Sequence, residues 1–256
     1  MTYLDAILER RRADVDARKR AGAIAELRAT GARRDFVEAL RARVPAVIAE
    51  FKRSSPTAGP IAPQASAAET AAAYEFGGAA AISVLVEPYF FSGSHADVRA
   101  ARAATRVPVL CKDFIIDQYQ IWEAAAAGAD AVLLIAAVLD DRRLADFAAY
   151  AASAGMAAII EVHDEREARR AATLRPVIVG INNRDLHTFG VDLSVSLRVR
   201  TALPASCLVI GESGYANYDD VRTAFAGGID GVLVGERFMR ATNRAGAVRS
   251  FLGGAS

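Results

Sequence analysis

From Ala46 onward, short runs of Val, Ile and Leu alternate with Ala-rich stretches in which apolar residues recur at helical spacing. This rhythm predicts repeated strand–helix units and a parallel sheet, because strands covered by helices on both faces read as near-continuous apolar runs. Eight such runs occur: Ala46–Phe51, Ala80–Val86, Val107–Cys111, Ala131–Ile135, Ala157–Val162, Val177–Ile181, Cys207–Ile210 and Gly231–Val234. Eight units suit a closed barrel better than an open sheet, and the first run is not followed by the Gly-x-Gly-x-x-Gly turn of a dinucleotide-binding fold. The predicted class is α/β, a (β/α)8 TIM barrel with an N-terminal helical extension.

Residues 1–45 fall outside the rhythm. Leu4, Ile7, Leu8 and Val15 form one apolar stripe and Phe36, Val37 and Leu40 another, so this segment reads as helices that either floor or rim the barrel. No linker sets them apart, and residues 1–256 read as a single domain. One short repeat appears, Gly128-Ala-Asp-Ala-Val-Leu-Leu134 and Gly228-Ile-Asp-Gly-Val-Leu-Val234. It fits a half-barrel duplication, and equally the general liking of such units for a glycine stop before a strand.

Charge narrows the function. With 31 basic and 30 acidic residues the net charge is +1, which leaves no broad footprint for nucleic acid or a membrane surface. The first twenty residues are charged at helical intervals and hold no signal-type apolar core, so a cytoplasmic location is expected. Cys111 and Cys207 lie in apolar runs and are expected to be buried thiols. Only three of the basic residues are lysine: Lys19, Lys52 and Lys112. Lysine can release a proton where arginine cannot, so Lys52 and Lys112, both at strand ends, invite a chemical role.

Barrel enzymes carry their reactive groups at the carboxyl ends of the strands. Here those ends read Glu50-Phe-Lys52, Lys112-Asp113, Glu161, Asn182-Asn-Arg184 and Glu212-Ser213-Gly214. Acids and lysines clustered at one mouth shift one another's pKa values, which marks the set as an active site. Gly214 and Gly235, each ahead of a helix, suit a phosphate held on backbone N–H groups. Glu236 beside Gly235 conflicts with that unless its carboxylate turns away. Phe91 and Phe114, with Phe90, stand near strand ends, where they either pack the core or wall an aromatic ligand. His95, His163 and His187 lack metal-ligand spacing, so no metal is expected, and His163 reads as a loop or cap residue.

At these positions the chain resembles the indole-3-glycerol phosphate synthase family. The motifs that carry the resemblance are Val47-Ile-Ala-Glu-Phe-Lys-Arg-Ser-Ser-Pro56, Phe91-Ser-Gly-Ser94, Leu110-Cys-Lys-Asp-Phe-Ile-Ile-Asp117, Ile160-Glu-Val-His-Asp164, Gly180-Ile-Asn-Asn-Arg-Asp-Leu186 and Gly211-Glu-Ser-Gly214. Tyr215–Tyr218 and Arg175-Pro176 depart from the family pattern. The resemblance implies ring closure of 1-(2-carboxyphenylamino)-1-deoxyribulose 5-phosphate with loss of carbon dioxide and water, in tryptophan biosynthesis, without a cofactor. It implies Lys112 as the donor of a proton to the ketone, and Glu161 and Glu50 as handlers of protons in closure and dehydration. Lys52 and Ser55 would hold substrate anions, while Asn182, Arg184 and Glu212 orient groups. Ser213, Gly214 and Gly235, with the Glu236 amide, would surround the phosphate. The only expected partner is this small anionic substrate. Other phosphate-binding barrel isomerases share the phosphate site but leave Glu50, Lys52, Lys112 and Glu161 unexplained, and a silent scaffold leaves the whole polar set unexplained.

Overall fold

The computed structural model describes residues 3–22, 32–185 and 188–254. Part of the 1–45 segment, together with Leu186 and His187, therefore lies outside the described residues. Among those described, eight parallel strands close into a barrel. They are β1 (Ala46–Phe51), β2 (Ala81–Leu85), β3 (Val109–Lys112), β4 (Ala131–Ile135), β5 (Ala157–Val162), β6 (Ile178–Asn182), β7 (Leu208–Glu212) and β8 (Gly231–Val234), and β8 pairs with β1 to complete the ring. The eight apolar runs and the eight strands coincide, with ends differing by one or two residues. At β3, β6 and β7 the ladder continues into the polar residue, so Lys112, Asn182 and Glu212 belong to the strands themselves.

Successive side chains point to opposite faces, so each strand writes two layers. Val47, Ala49, Val84, Cys111, Val132, Ile160, Val179 and Val209 join the helices in one apolar cluster. Their neighbours Ile48, Ala81, Leu110, Leu133, Ile159, Ile178, Ile210 and Leu233 form the second cluster, inside the barrel. Two residues further along the interior positions, the apolar filling gives way to Glu50, Lys112, Glu161 and Glu212, and on β6 it passes Gly180 before reaching Asn182. A polar mouth and an apolar core therefore share one face of these five strands, divided by height.

The strand β6 is followed by α8 (Ser194–Arg200); the helices that follow β1 to β5 and β7 are α3 (Ala67–Gly77), α4 (His95–Ala104), α5 (Gln118–Ala126), α6 (Asp141–Ser153), α7 (Glu165–Thr173) and α9 (Tyr218–Ala226). Each of the latter starts at a Ser, Asp or Asn whose side chain accepts a hydrogen bond from the first helical turn, namely Ser66, Ser94, Asp117, Asp140, Asp164 and Asn217. Such caps are worth about 1 kcal/mol apiece and fix where each mouth loop ends. The short repeat has a local cause. Gly128 and Gly228 take left-handed φ values of 87° and 86°. Asp130 and Asp230 then each accept the backbone N–H at the start of the preceding strand, from Val109 and Val209 at 2.9 and 2.8 Å.

The extension does both of the things expected of it, one with each helix. Helix α2 (Phe36–Arg41) places Phe36 and Leu40 in the interior cluster with Ala46 and Ala80, which floors the barrel. Arg33 and Arg34, just before it, donate to the carbonyls of Ala125, Ala129, Val107 and Arg102 in the lower loops. Helix α1 (Tyr3–Ala21) rims the top instead. Arg11 is 1% exposed and pairs with Asp113 at the end of β3, while Arg18 bonds Glu123 on α5 and Lys19 bonds Asp117, the cap of that helix. Tyr3 meets Phe189 edge-on at 5.2 Å across the opening.

Candidate active site

The carboxyl ends of the strands surround a cavity of about 450 Å3, the size that small-molecule sites commonly have. Its lining includes every residue given a catalytic or binding role above, namely Glu50, Lys52, Ser55, Phe91, Lys112, Phe114, Glu161, Asn182, Arg184, Glu212, Ser213, Gly214, Gly235 and Glu236, while Phe90 stays outside it. The β1 loop contributes Ser55, whose hydroxyl accepts from the Ala58 amide at 3.1 Å.

Lys112 stands at the centre, its Nζ 3.0 Å from Glu212 Oε2 and 3.4 Å from Glu161 Oε2. Asn182 Nδ2 lies 3.4 Å from the other oxygen of Glu161. On the far side Lys52 Nζ pairs with Glu50 Oε1 at 2.8 Å. Two glycines make room for these pairs. A side chain on Gly180 would sit 2.1 Å from Glu212 Oε1, and one on Gly235 would sit 2.3 Å from Glu50 Oε1. Gly180→Ala should therefore force the buried Glu212 carboxylate off Lys112. We expect turnover to fall about tenfold or more while stability drops by only about 1–3 kcal/mol, the usual scale of overpacking. Steady-state kinetics paired with a denaturation midpoint checks this, and native turnover would show that Glu212 needs no such gap.

Burial and charge set the protonation of the cluster. Burial alone would neutralise Lys112, but the carboxylates of Glu212 and Glu161, with Glu50 behind them, outweigh it and raise its pKa. This is opposite to the shift that would bring a lysine toward neutrality, and its cause is that desolvation is shared with two anions in contact. Burial pushes Glu161 upward as well, yet Lys112, His163 and Asn182 together bring its pKa well down. Glu212 is raised, first by burial and then by the neighbouring carboxylates, against the pull of Lys112. Of the two acids on Lys112, Glu212 is thus the one that more readily holds a proton.

The side expected to take an anion is built from loops after β6, β7 and β8. Ser213 and Gly214 both adopt left-handed backbone, with φ of 64° and 93°. A side chain on Gly214 would come within 2.4 Å of Val191, so glycine is required there. Behind the turn, Asn183 donates to the Ser213 carbonyl at 3.1 Å and accepts from the Ser196 hydroxyl, which meets the Tyr215 hydroxyl at 3.2 Å. Tyr215, in the stretch that departs from the family pattern, is thereby a buttress of this turn. Gly235 caps the short helix α10 (Glu236–Met239). The Glu236 carboxylate pairs with Arg240 at 2.9 Å and is 41% exposed, which relieves its apparent conflict with an anion.

Phe91 and Phe114 are half-buried, with ring centroids 6.0 Å apart, and form the apolar wall with Leu133 and Ile135. The wholly buried Glu87 sets the loop of Phe91, since its carboxylate accepts the backbone N–H groups of Tyr89, Phe90 and Phe91 at 2.6–3.1 Å.

Sequence reasoning missed several participants. Leu4 and Ile7 of α1 line the cavity, and although their stripe was visible, nothing in it told the rim from the floor. Arg237 and Arg240 also line it, hidden among the many surface arginines. His163, expected as a loop or cap residue, does meet Glu167 through its amide, but its ring lies against Glu161. Among the described residues, no group of three or more His, Cys, Asp or Glu is arranged to hold a metal, and no helix is long and apolar enough to cross a membrane.

Comparison with known proteins gives a consistent picture. The family model for indole-3-glycerol phosphate synthase matches residues 4–251. The indole-3-glycerol phosphate synthase of Aromatoleum aromaticum is 45% identical over 98% of both chains. That of Mycolicibacterium gilvum is 46% identical over 96% of this chain and 92% of its own. Among solved structures, a thiamine phosphate pyrophosphorylase from Pyrococcus furiosus superposes with a TM-score of 0.61 at 19% identity, covering 84% of this chain and 96% of its own. An N-acetylmannosamine-6-phosphate 2-epimerase from Clostridium perfringens gives 0.62 at 14%, covering 82% and 93%. At those identities the likeness concerns the fold alone.

Proposed function

The chain belongs to the indole-3-glycerol phosphate synthase family, and from that premise we propose how the residues of its mouth divide the work. The enzyme is a carboxy-lyase that closes the indole ring of 1-(2-carboxyphenylamino)-1-deoxyribulose 5-phosphate, releasing carbon dioxide and water. We read the whole chain as one barrel domain with residues 1–45 as its extension.

The aryl carbon bearing the carboxylate attacks the sugar ketone, and Lys112 gives a proton to the ketone oxygen. Carbon dioxide then leaves and the aromatic ring is restored. Dehydration follows as an acid protonates the new hydroxyl and a base takes the proton from the neighbouring carbon, roles that fall to Glu161 and Glu50. The raised pKa of Lys112 keeps it charged and loaded before the attack, and Glu212, 3.0 Å away and itself raised, is placed to return the proton afterwards. That shared contact carries this reading. Lys52 and Ser55 hold substrate anions, Asn182 and Arg184 orient the reacting groups, and the aryl ring lies against Phe91 and Phe114. The substrate is a small anion, and the balanced net charge supports no nucleic-acid or membrane partner.

The phosphate belongs between the Ser213–Gly214 turn and Gly235, with the Glu236 amide at the start of α10. Inorganic phosphate should accordingly compete with substrate, raising apparent KM without changing kcat. The fluorescence of the indole formed reports the rate. Absence of competition at high phosphate, with a bound anion found elsewhere, would move the phosphate site.

A further inference from the structure

We propose that His163 is a positioning residue for Glu161, acting as an imidazolium clamped between the carboxylates of Glu161 and Glu167. The inference rests on the proposed catalytic role of Glu161, taken in its ionised form as the base of the dehydration. His163 follows β5 on the same interior parity as Glu161, and its side chain is 13% exposed. Its Nε2 lies 3.2 Å from Glu161 Oε1, close enough for an ion pair although out of line for a hydrogen bond. Its Nδ1 lies 3.1 Å from Glu167 Oε2. Glu167 is itself fixed, because the same oxygen accepts the His163 backbone N–H at 2.9 Å. An imidazole whose two nitrogens both face carboxylates has no acceptor task to perform, so both nitrogens carry protons.

The clamp determines which oxygen of Glu161 is free for chemistry. Glu161 Oε1 is occupied from β5 by His163 and from β6 by Asn182, so Oε2 is the oxygen turned to Lys112. The charges around the histidine come from Glu161 on β5 and Glu167 on α7; those around Glu161 come from Lys112 on β3, with Glu212 on β7 sharing that lysine. Burial works against a charged His163, but hydrogen bonds and charge from Glu161 and Glu167 raise it to about 10. A cation at this distance favours the ionised form of Glu161, and removing it lets that carboxylate take a proton at higher pH.

The test is the pH profile of kcat/KM, combined with an NMR titration of the histidine ring signals. In the unaltered enzyme His163 should stay doubly protonated through pH 8. His163→Asn, which keeps an N–H donor but no charge, should move the acidic limb upward by about one pH unit, a roughly tenfold loss of kcat/KM on that limb that higher pH restores. Glu167→Gln should move it the same way by less and lower the His163 pKa. A His163 signal titrating near the ordinary value of about 6.5 would overturn the clamp. So would a loss of kcat equal at every pH, which marks a merely structural role. If His163→Asn does not fold, Glu167→Gln and the titration of the unaltered enzyme decide. Glu161→Gln separates the two readings, because near-native turnover in that variant would remove Glu161 from the chemistry while leaving the NMR result to judge the clamp.

Discussion

Lys112→Arg should lower turnover by roughly a hundredfold or more while KM stays within about tenfold. The position is 14% exposed and its cation is held by Glu161 and Glu212. Arginine preserves the charge and can keep both ion pairs, so binding survives. What it cannot do is hand a proton to the ketone oxygen and regain it from Glu212, since a guanidinium spreads its charge over three nitrogens and is not deprotonated in proteins. Lys52→Arg should show the opposite emphasis. Lys52 faces Glu50 and the Gly235 turn, so a bulkier cation there should damage KM more than kcat. Steady-state kinetics of the two variants side by side provide the check. Near-native turnover in Lys112→Arg would transfer the acid role to another residue, with Glu161 next in line.

Arg11→Ala should cost about 3–5 kcal/mol of stability, the usual penalty for stranding one member of a buried ion pair. Arg11 and Asp113 are 1% and 2% exposed. Phe114 and Gln120 still bond Asp113, at 2.9 Å each, but neither supplies a charge. Asp113 follows Lys112 directly, so the loss should reach activity through α1 and the Leu4 and Ile7 wall as well. Replacing both partners, as Arg11→Met with Asp113→Leu, should recover most of the stability because no lone charge is left buried. Denaturant midpoints measured on all three forms test this. A single variant as stable as the unaltered enzyme would mean that water reaches Asp113 and replaces the cation.

Much of this was legible from the residues, and for identifiable reasons. The strand runs stood out because the wall of the barrel is apolar on both faces over most of its height. The proposed catalytic layer stood out because Glu50, Lys112, Glu161, Asn182 and Glu212 interrupt that apolarity at the same end of five of the eight strands. Features that depend on the third dimension were not legible. An apolar stripe on α1 looks the same as one on α2, although one rims the mouth and the other floors the barrel. His163 is two residues from Glu161, a spacing that reads equally well as a loop or as a shared strand face. The direction of the Lys112 shift depends on which carboxylates touch it, and the order of residues does not state that.

The division of the barrel interior by height bears on how such a protein can change over generations. Phe36, Leu40, Ile48, Leu110 and Ile159 hold the lower part together, while the residues to which we assign the reaction are gathered above them. Inheritance can therefore act on the two halves separately. A lineage is free to exchange the upper side chains, which occupy every second position along a strand, without disturbing the packing that lets the chain fold. That freedom explains why a barrel of this shape recurs among enzymes with little sequence in common, since cohesion and chemistry are recorded in different places and need not be lost together.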